Sequence, residues 1–203
     1  MNARAALAAA CLVAAAAMVP AAQNLPVTFF IAEGDRAAGY QPGDRDLASW
    51  AFEAWARSSN GTIRLQPASE REALVRVYWV PANGSTYGET RPMTLGGRRG
   101  ADVFVRPDVE ALGVDIASRA SADPLWRETV VYFTCLHELG HAFGLEHTPD
   151  ERDIMYFFGY GGDIVEFFAR YRRQLTTRSG IRSRSGLSET DIARLKLALA
   201  KPL

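Results

Sequence analysis

The stretch His137-Glu138-Leu139-Gly140-His141-Ala142-Phe143-Gly144-Leu145-Glu146-His147 constrains this chain more than any other. Read as H-E-x-x-H-x-x-G-x-x-H, it describes a zinc site with a general base beside it. Positions four apart on a helix share one face, so His137 and His141 can aim their imidazoles at a single ion. Glu138 directly follows the first of them, so its carboxylate borders the ion's water without being a ligand. A helix carried on to His147 could not close the tripod. Gly144 can take a left-handed turn without steric cost and swing residues 145–147 back toward the metal. Three neutral imidazoles leave a fourth zinc position for water, which separates catalytic sites from closed structural ones. Two solvated histidines on a surface helix would account for a bare H-E-x-x-H. They do not account for the glycine and third histidine at fixed offsets, nor for all three histidines of the chain falling on these positions.

The stretch resembles the signature of the metzincin metallopeptidases, which also carry a methionine-containing turn beneath the metal. Asp153-Ile154-Met155-Tyr156 follows His147 closely, which makes Met155 the candidate for that turn. Its separation from His147, and the hydroxyl residue Thr148 after the third histidine, are most similar to the matrixin branch. The chain departs from that branch at Thr148, where serine is usual, and at Phe157, where proline usually follows the turn.

The resemblance implies an α+β, metzincin-like (zincin) single domain, with a twisted mixed β-sheet backed by two long helices and a C-terminal helix. It also implies a zinc endopeptidase with His137, His141 and His147 as ligands and Glu138 as catalytic base. One catalytic Zn2+ would be held and a protein or peptide would be the substrate. A calcium site built from backbone and carboxylate oxygens remains compatible, but no calcium-loop pattern is readable.

Residues 1–22 differ from the rest. Arg4 gives a positive start, 5–19 is an alanine-rich apolar run, and Pro20-Ala21-Ala22 offers small residues for cleavage. This is the pattern of a secretory signal peptide, too short and alanine-rich for a membrane span. The expected product is a secreted or periplasmic domain over 23–203, with Cys11 discarded. Cys135 is then the lone cysteine, without a partner for an intrachain disulfide, and reads as a buried small hydrophobe. Matrixins commonly carry a pro-segment whose cysteine blocks the zinc, and the few residues before the first strand leave no room for one. The expectation is a domain that folds active after export, or one restrained by a separate inhibitor. Acidic and basic residues balance at 23 each, which argues against a nucleic-acid partner, and a monomer is expected.

Along the chain, 27–32 reads as a strand from its β-branched and aromatic content. Residues 44–60 read as a helix capped by Asp44, with Leu47, Trp50, Ala51, Ala54 and Trp55 on one side and Asn60-Gly61 at its end. Short strands are expected at 62–65, 73–80 and 101–105. Residues 82–100 carry Gly, Arg and Thr with little apolar periodicity, although 87–90 could supply an edge strand for pairing with an extended substrate. Asp123-Pro124 should start the metal-bearing helix. A short amphipathic helix is expected over 163–175, with Ile164, Phe167, Phe168 and Tyr171 on its apolar side. Ser188 should cap a terminal helix carrying Ile192, Leu195 and Leu199. By the resemblance, 157–186 forms a variable segment that shapes specificity; a solvated basic loop explains its arginines equally well.

No histidine is left to activate a serine or Cys135, so no rival catalytic set exists. Two alternatives use the same residues. One is a non-catalytic zinc-containing peptide-binding or toxin-like module, for which Glu138 would be dispensable. The other is a zinc hydrolase acting on a non-peptide amide, which would differ only in its cleft.

Overall fold

The computed structural model describes residues 26–84 and 86–200. The signal segment expected at 1–22, with Cys11, lies outside them. Five strands form one sheet in the order β2-β1-β3-β5-β4. They are β1 (Val27–Ile31), β2 (Leu65–Pro67), β3 (Val75–Trp79), β4 (Gly88–Leu95) and β5 (Arg98–Val105). The first three and β5 run parallel, while β4 turns back antiparallel on β5 and ends the sheet. Burial along β3 alternates strictly: Val75, Val77 and Trp79 face inward, Arg76 and Tyr78 outward. That is the two-residue period of a strand with one face on the core.

Helices α1 (Asp44–Ser58) and α3 (Pro124–Ala142) pack against each other on the inner face of the sheet. Leu47, Ala48, Ala51, Phe52, Ala54 and Trp55 give α1 its buried stripe. Most of α3 between Trp126 and Gly140 is buried, so it is the central rod of the domain. Its start is set by Asp123, whose side chain accepts from the Leu125 N–H, and by Pro124 in the first turn. Trp55 Nε1 donates to the Leu136 carbonyl at 2.9 Å, fastening α1 to the part of α3 that bears the histidines. The remaining helices are α2 (Val114–Ala122), α4 (Ile164–Arg172), α5 (Ser179–Ser183) and α6 (Glu189–Leu199). No helix among the described residues is long and apolar enough to cross a membrane.

Several expectations are corrected by long-range contacts. Asp44 does not cap α1. It is buried, and Arg127 of α3 binds its two carboxylate oxygens at 2.7 and 2.9 Å. The same guanidinium donates to the carbonyls of Gly39 and Pro107, joining three segments that are far apart in sequence. β2 starts at Leu65 rather than at residue 62. Residues 88–100 form most of a hairpin turned at Gly96-Gly97. Its strand β4 escapes a hydrophobicity search because its outer face is charged and its inner face borders a cleft. Pro92 is tolerated there because β4 is an edge. The helix α2, directly before Asp123, was not anticipated.

Residues 176–186 are largely solvent-exposed, as a basic loop would be, but they carry the short helix α5 and are tied down. Arg178 binds Glu128 and Asp46, and Arg182 binds Glu53, so this stretch is docked on α1 and α3. α4 follows the expected amphipathic pattern, with Phe167, Phe168 and Tyr171 buried. Ser188 caps α6 in a reciprocal box with Asp191.

Removing one member of a buried ion pair strands the other without a counter-charge. Asp44→Ala should therefore cost about 3–5 kcal/mol, read as a lower denaturant midpoint. A loss under about 1 kcal/mol would show that the pair does not fasten α1 to α3.

Candidate metal centre

The last turns of α3 present His137 and His141 on one face. The helix ends at Phe143, and Gly144 takes φ +93°, a left-handed value that any Cβ would strain. The bend lets the Leu145 N–H reach back to the Gly140 carbonyl at 2.9 Å. It also carries His147 over the other two rings. The Nε2 atoms of His137 and His141 stand 3.3 and 3.1 Å from Nε2 of His147. Three nitrogens bound tetrahedrally to one zinc, each at about 2.0–2.1 Å, are separated by about 3.3 Å. The spacing fits the ion.

The protonation pattern supports the same fit. His137 Nδ1 lies 2.7 Å from the Ile154 carbonyl and His141 Nδ1 lies 2.8 Å from the Leu145 carbonyl. A carbonyl oxygen can only accept, so each Nδ1 carries the hydrogen and each Nε2 presents a bare lone pair. Those two lone pairs and His147 Nε2 converge on one point. A single hydrogen on His147 can satisfy one of its two neighbours at most, whereas one cation satisfies all three nitrogens. Burial, aided by the neighbouring rings, pushes His137 down to about 3 and lowers His141 and His147 as well. All three are therefore neutral, the form that ligates, at ordinary pH. Among the described residues, this is the group of His, Cys, Asp or Glu side chains arranged to hold a metal.

The floor of the centre is the turn containing Met155, which is fully buried under α3. A Cβ on Gly140 would collide with Met155 Sδ and stand 3.1 Å from Trp55 Cζ2, so Gly140 is glycine because the methionine needs its space. The turn is pinned from below by carboxylates. Thr148 Oγ1 donates to Asp153 Oδ2 at 2.9 Å and Ser188 Oγ donates to Asp153 Oδ1 at 2.6 Å. Asp191 Oδ2 accepts from the N–H groups of Ile154 and Ser188, both at 2.9 Å. Since Ile154 also offers its carbonyl to His137, the cap of α6 reaches the first imidazole through one residue.

Glu138 is 6% exposed, between α3 and β4. Burial raises its carboxyl to about 7, against a lowering hydrogen bond from Thr90 and the charge of Arg106. Cys135 is buried, its thiol pushed up by loss of water, and it does not join the histidines. The centre opens into a cleft of about 1560 Å3 between β4, α3, α4 and the end of α6. Its wall around the metal is aromatic, with Tyr87, Phe133, Tyr156, Phe158, Phe167 and Phe168. Phe157 stacks on the His147 ring with centroids 4.8 Å apart.

The structure brings the three histidines together, buries Glu138 at the edge of the same cleft, and places Met155 beneath α3. Sequence reasoning missed Gly88 and Thr90 against Glu138, and missed Asp153 and Asp191 under the turn. Gly88 and Thr90 left a weak signal, two small residues spaced by two in a stretch with no apolar pattern. Asp191 was legible only as a helix cap.

Residues 23–163 match the family model for the matrixin peptidases. No curated protein sequence matches the chain. Among solved structures, archaemetzincin from Methanopyrus kandleri superposes with a TM-score of 0.50 at 15% identity. The match covers 90% of this chain and 100% of that one, and it shows a shared metzincin-like fold.

Gly140→Ala tests the packing beneath the centre. The added methyl should cost about 1–3 kcal/mol by overpacking and weaken zinc binding together with stability. Unchanged stability and zinc affinity would mean that Met155 does not brace the histidine helix.

Proposed function

The chain belongs to the matrixin family of peptidases, and from that premise we propose that it is a secreted, zinc-dependent endopeptidase. His137, His141 and His147 hold the ion, and Glu138 handles the proton. The single observation that carries this reading is the convergence of three imidazole nitrogens, next to which in sequence stands the buried Glu138 that lines the same cleft. When bound there, zinc supplies a polarising charge for the substrate carbonyl and lowers the pKa of water to about 7.

Glu138 then accepts one proton from the water whose oxygen joins the peptide carbonyl carbon. As the C–N bond breaks, that proton passes to the departing amine nitrogen. No acyl-enzyme is needed, since water itself forms the new C–O bond. The edge of β4 offers unpaired backbone groups along the cleft, suited to an extended peptide that adds a strand to the sheet. A cleft this large and open suits several residues of chain better than one small amide, whose pockets run to about 300–1,000 Å3.

The aromatic wall supplies selectivity. Phe158, Phe167 and Phe168 come from the segment after the methionine turn, and they meet Tyr87 of the strand side around one apolar recess. Arg178 and Arg182 point away to α1 and α3, so within 157–186 it is the first half that shapes the cleft. Export rests on the character of residues 1–22.

Glu138→Ala should abolish proteolysis of an unfolded protein while the variant still binds one zinc, and a chelator should silence the wild type. An active Glu138→Ala protein would remove the proposed mechanism. Cleavage sites mapped by mass spectrometry should show large apolar residues beside the cut. A preference for charged residues there would contradict the role given to the aromatic recess.

A further inference from the structure

The two oxygens of the Glu138 carboxylate are held differently. Thr90 Oγ1 lies 2.7 Å from Oε2 and 2.9 Å from the carbonyl oxygen of the same residue, so one hydroxyl hydrogen is shared between side chain and backbone. Oε1 has no hydrogen-bonding partner among the described residues. It lies instead against Gly88, where a Cβ would stand 2.8 Å from Oε1 and 2.6 Å from Cγ. Real Cβ atoms do not approach that closely, so any other residue at position 88 would displace the carboxylate. Gly88 and Thr90 are two apart on β4 and therefore share its inner face, while Glu89 and Arg91 pair with each other on the outer one.

We propose that Gly88 and Thr90 are positioning residues for Glu138: the hydroxyl ties down Oε2, and the bare glycine leaves the space in which Oε1 faces the cleft as the proton acceptor. The inference rests on the reading of Glu138 as the base. It gives the edge strand a second task besides offering its backbone to a peptide. Because Thr90 also bonds the Glu138 main chain, β4 and α3 are fixed to each other at the residue that moves the proton. A carboxylate free to rotate would spend much of its time with neither oxygen aimed at the reacting water, and misplacement of about 1 Å can cost 100-fold in rate.

The test compares Thr90→Val, which keeps the shape and removes the hydroxyl, with Thr90→Ser, which keeps the hydroxyl. Thr90→Val should lower kcat about 10-fold or more with KM and zinc content unchanged, and Thr90→Ser should recover it to within about threefold. A strand fastener with no part in aiming the base would instead raise KM or lose zinc, and either pattern with kcat intact would overturn the proposal. Should Thr90→Val not fold, Gly88→Ala carries the same test, since its methyl must move the carboxylate; an unchanged kcat there also overturns it.

A readout independent of turnover is the thermal double-mutant cycle. Thr90→Val should lower Tm in the wild type and lower it less in a Glu138→Ala background, where the hydroxyl keeps only its bond to the main-chain carbonyl of residue 138. Equal shifts would mean that the hydroxyl does not hold the carboxylate. If the wild type cleaves no peptide, the peptidase reading fails, and the cycle still decides whether Thr90 grips Glu138. If the wild type cleaves and Thr90→Val matches it, only the positioning claim fails.

Discussion

Three imidazole lone pairs meeting at one point, without hydrogens enough to satisfy them, is the constraint on which this structure depends. Two of the rings are locked by carbonyl acceptors at Nδ1, so neither can rotate its bare nitrogen away without abandoning a buried hydrogen bond. Such an arrangement costs free energy unless a cation resolves it. The elements around the centre read as devices for holding that arrangement. Gly144 bends the chain to deliver the third ring, Met155 and Gly140 interlock beneath the helix, and Asp191 holds Ile154, the residue whose carbonyl orients His137.

The same devices give the centre its direction. On one side, α3 is held to α1 by the Trp55 bond and by the Asp44–Arg127 pair. On the other, it is held to the sheet edge through Glu138 and Thr90. The Trp55 and Thr90 bonds thus clamp the helix across its width where the histidines emerge, and the Asp44–Arg127 pair holds its first turn. Such a clamp is what rigid placement of a reacting group requires, because a supporting shell left loose would let the carboxylate drift. The cleft lies along the free edge of β4, so the strand that borders it also touches Glu138.

How much of this was legible in the sequence follows from how local each interaction is. The three histidines and Glu138 lie within one helix and one bend, where spacing alone dictates geometry, so their placement was readable directly. The capped start of α3 at Asp123, the stripe on α1 and the box at Ser188 were readable for the same reason. Asp44 was misread because cap residues and buried ion-pair residues look alike until Arg127, 83 positions away, is known to face it. The edge strand expected at 87–90 is the start of β4, whose extent to Leu95 was missed because a strand at a cleft edge has no apolar face to give it a period. The ion pairs of Arg178 and Arg182 were not legible because their carboxylate partners sit in other helices. In each miss a contact across the fold overrode a local signal.

The most direct check of the account is anomalous diffraction at the zinc edge from crystals of the zinc-loaded protein. The account predicts one peak per chain, about 2.0–2.1 Å from Nε2 of His137, His141 and His147, with a light atom at the fourth position on the Glu138 side. A peak elsewhere, a fourth protein ligand closing the site, or a ring of the trio turned away from the ion would contradict it.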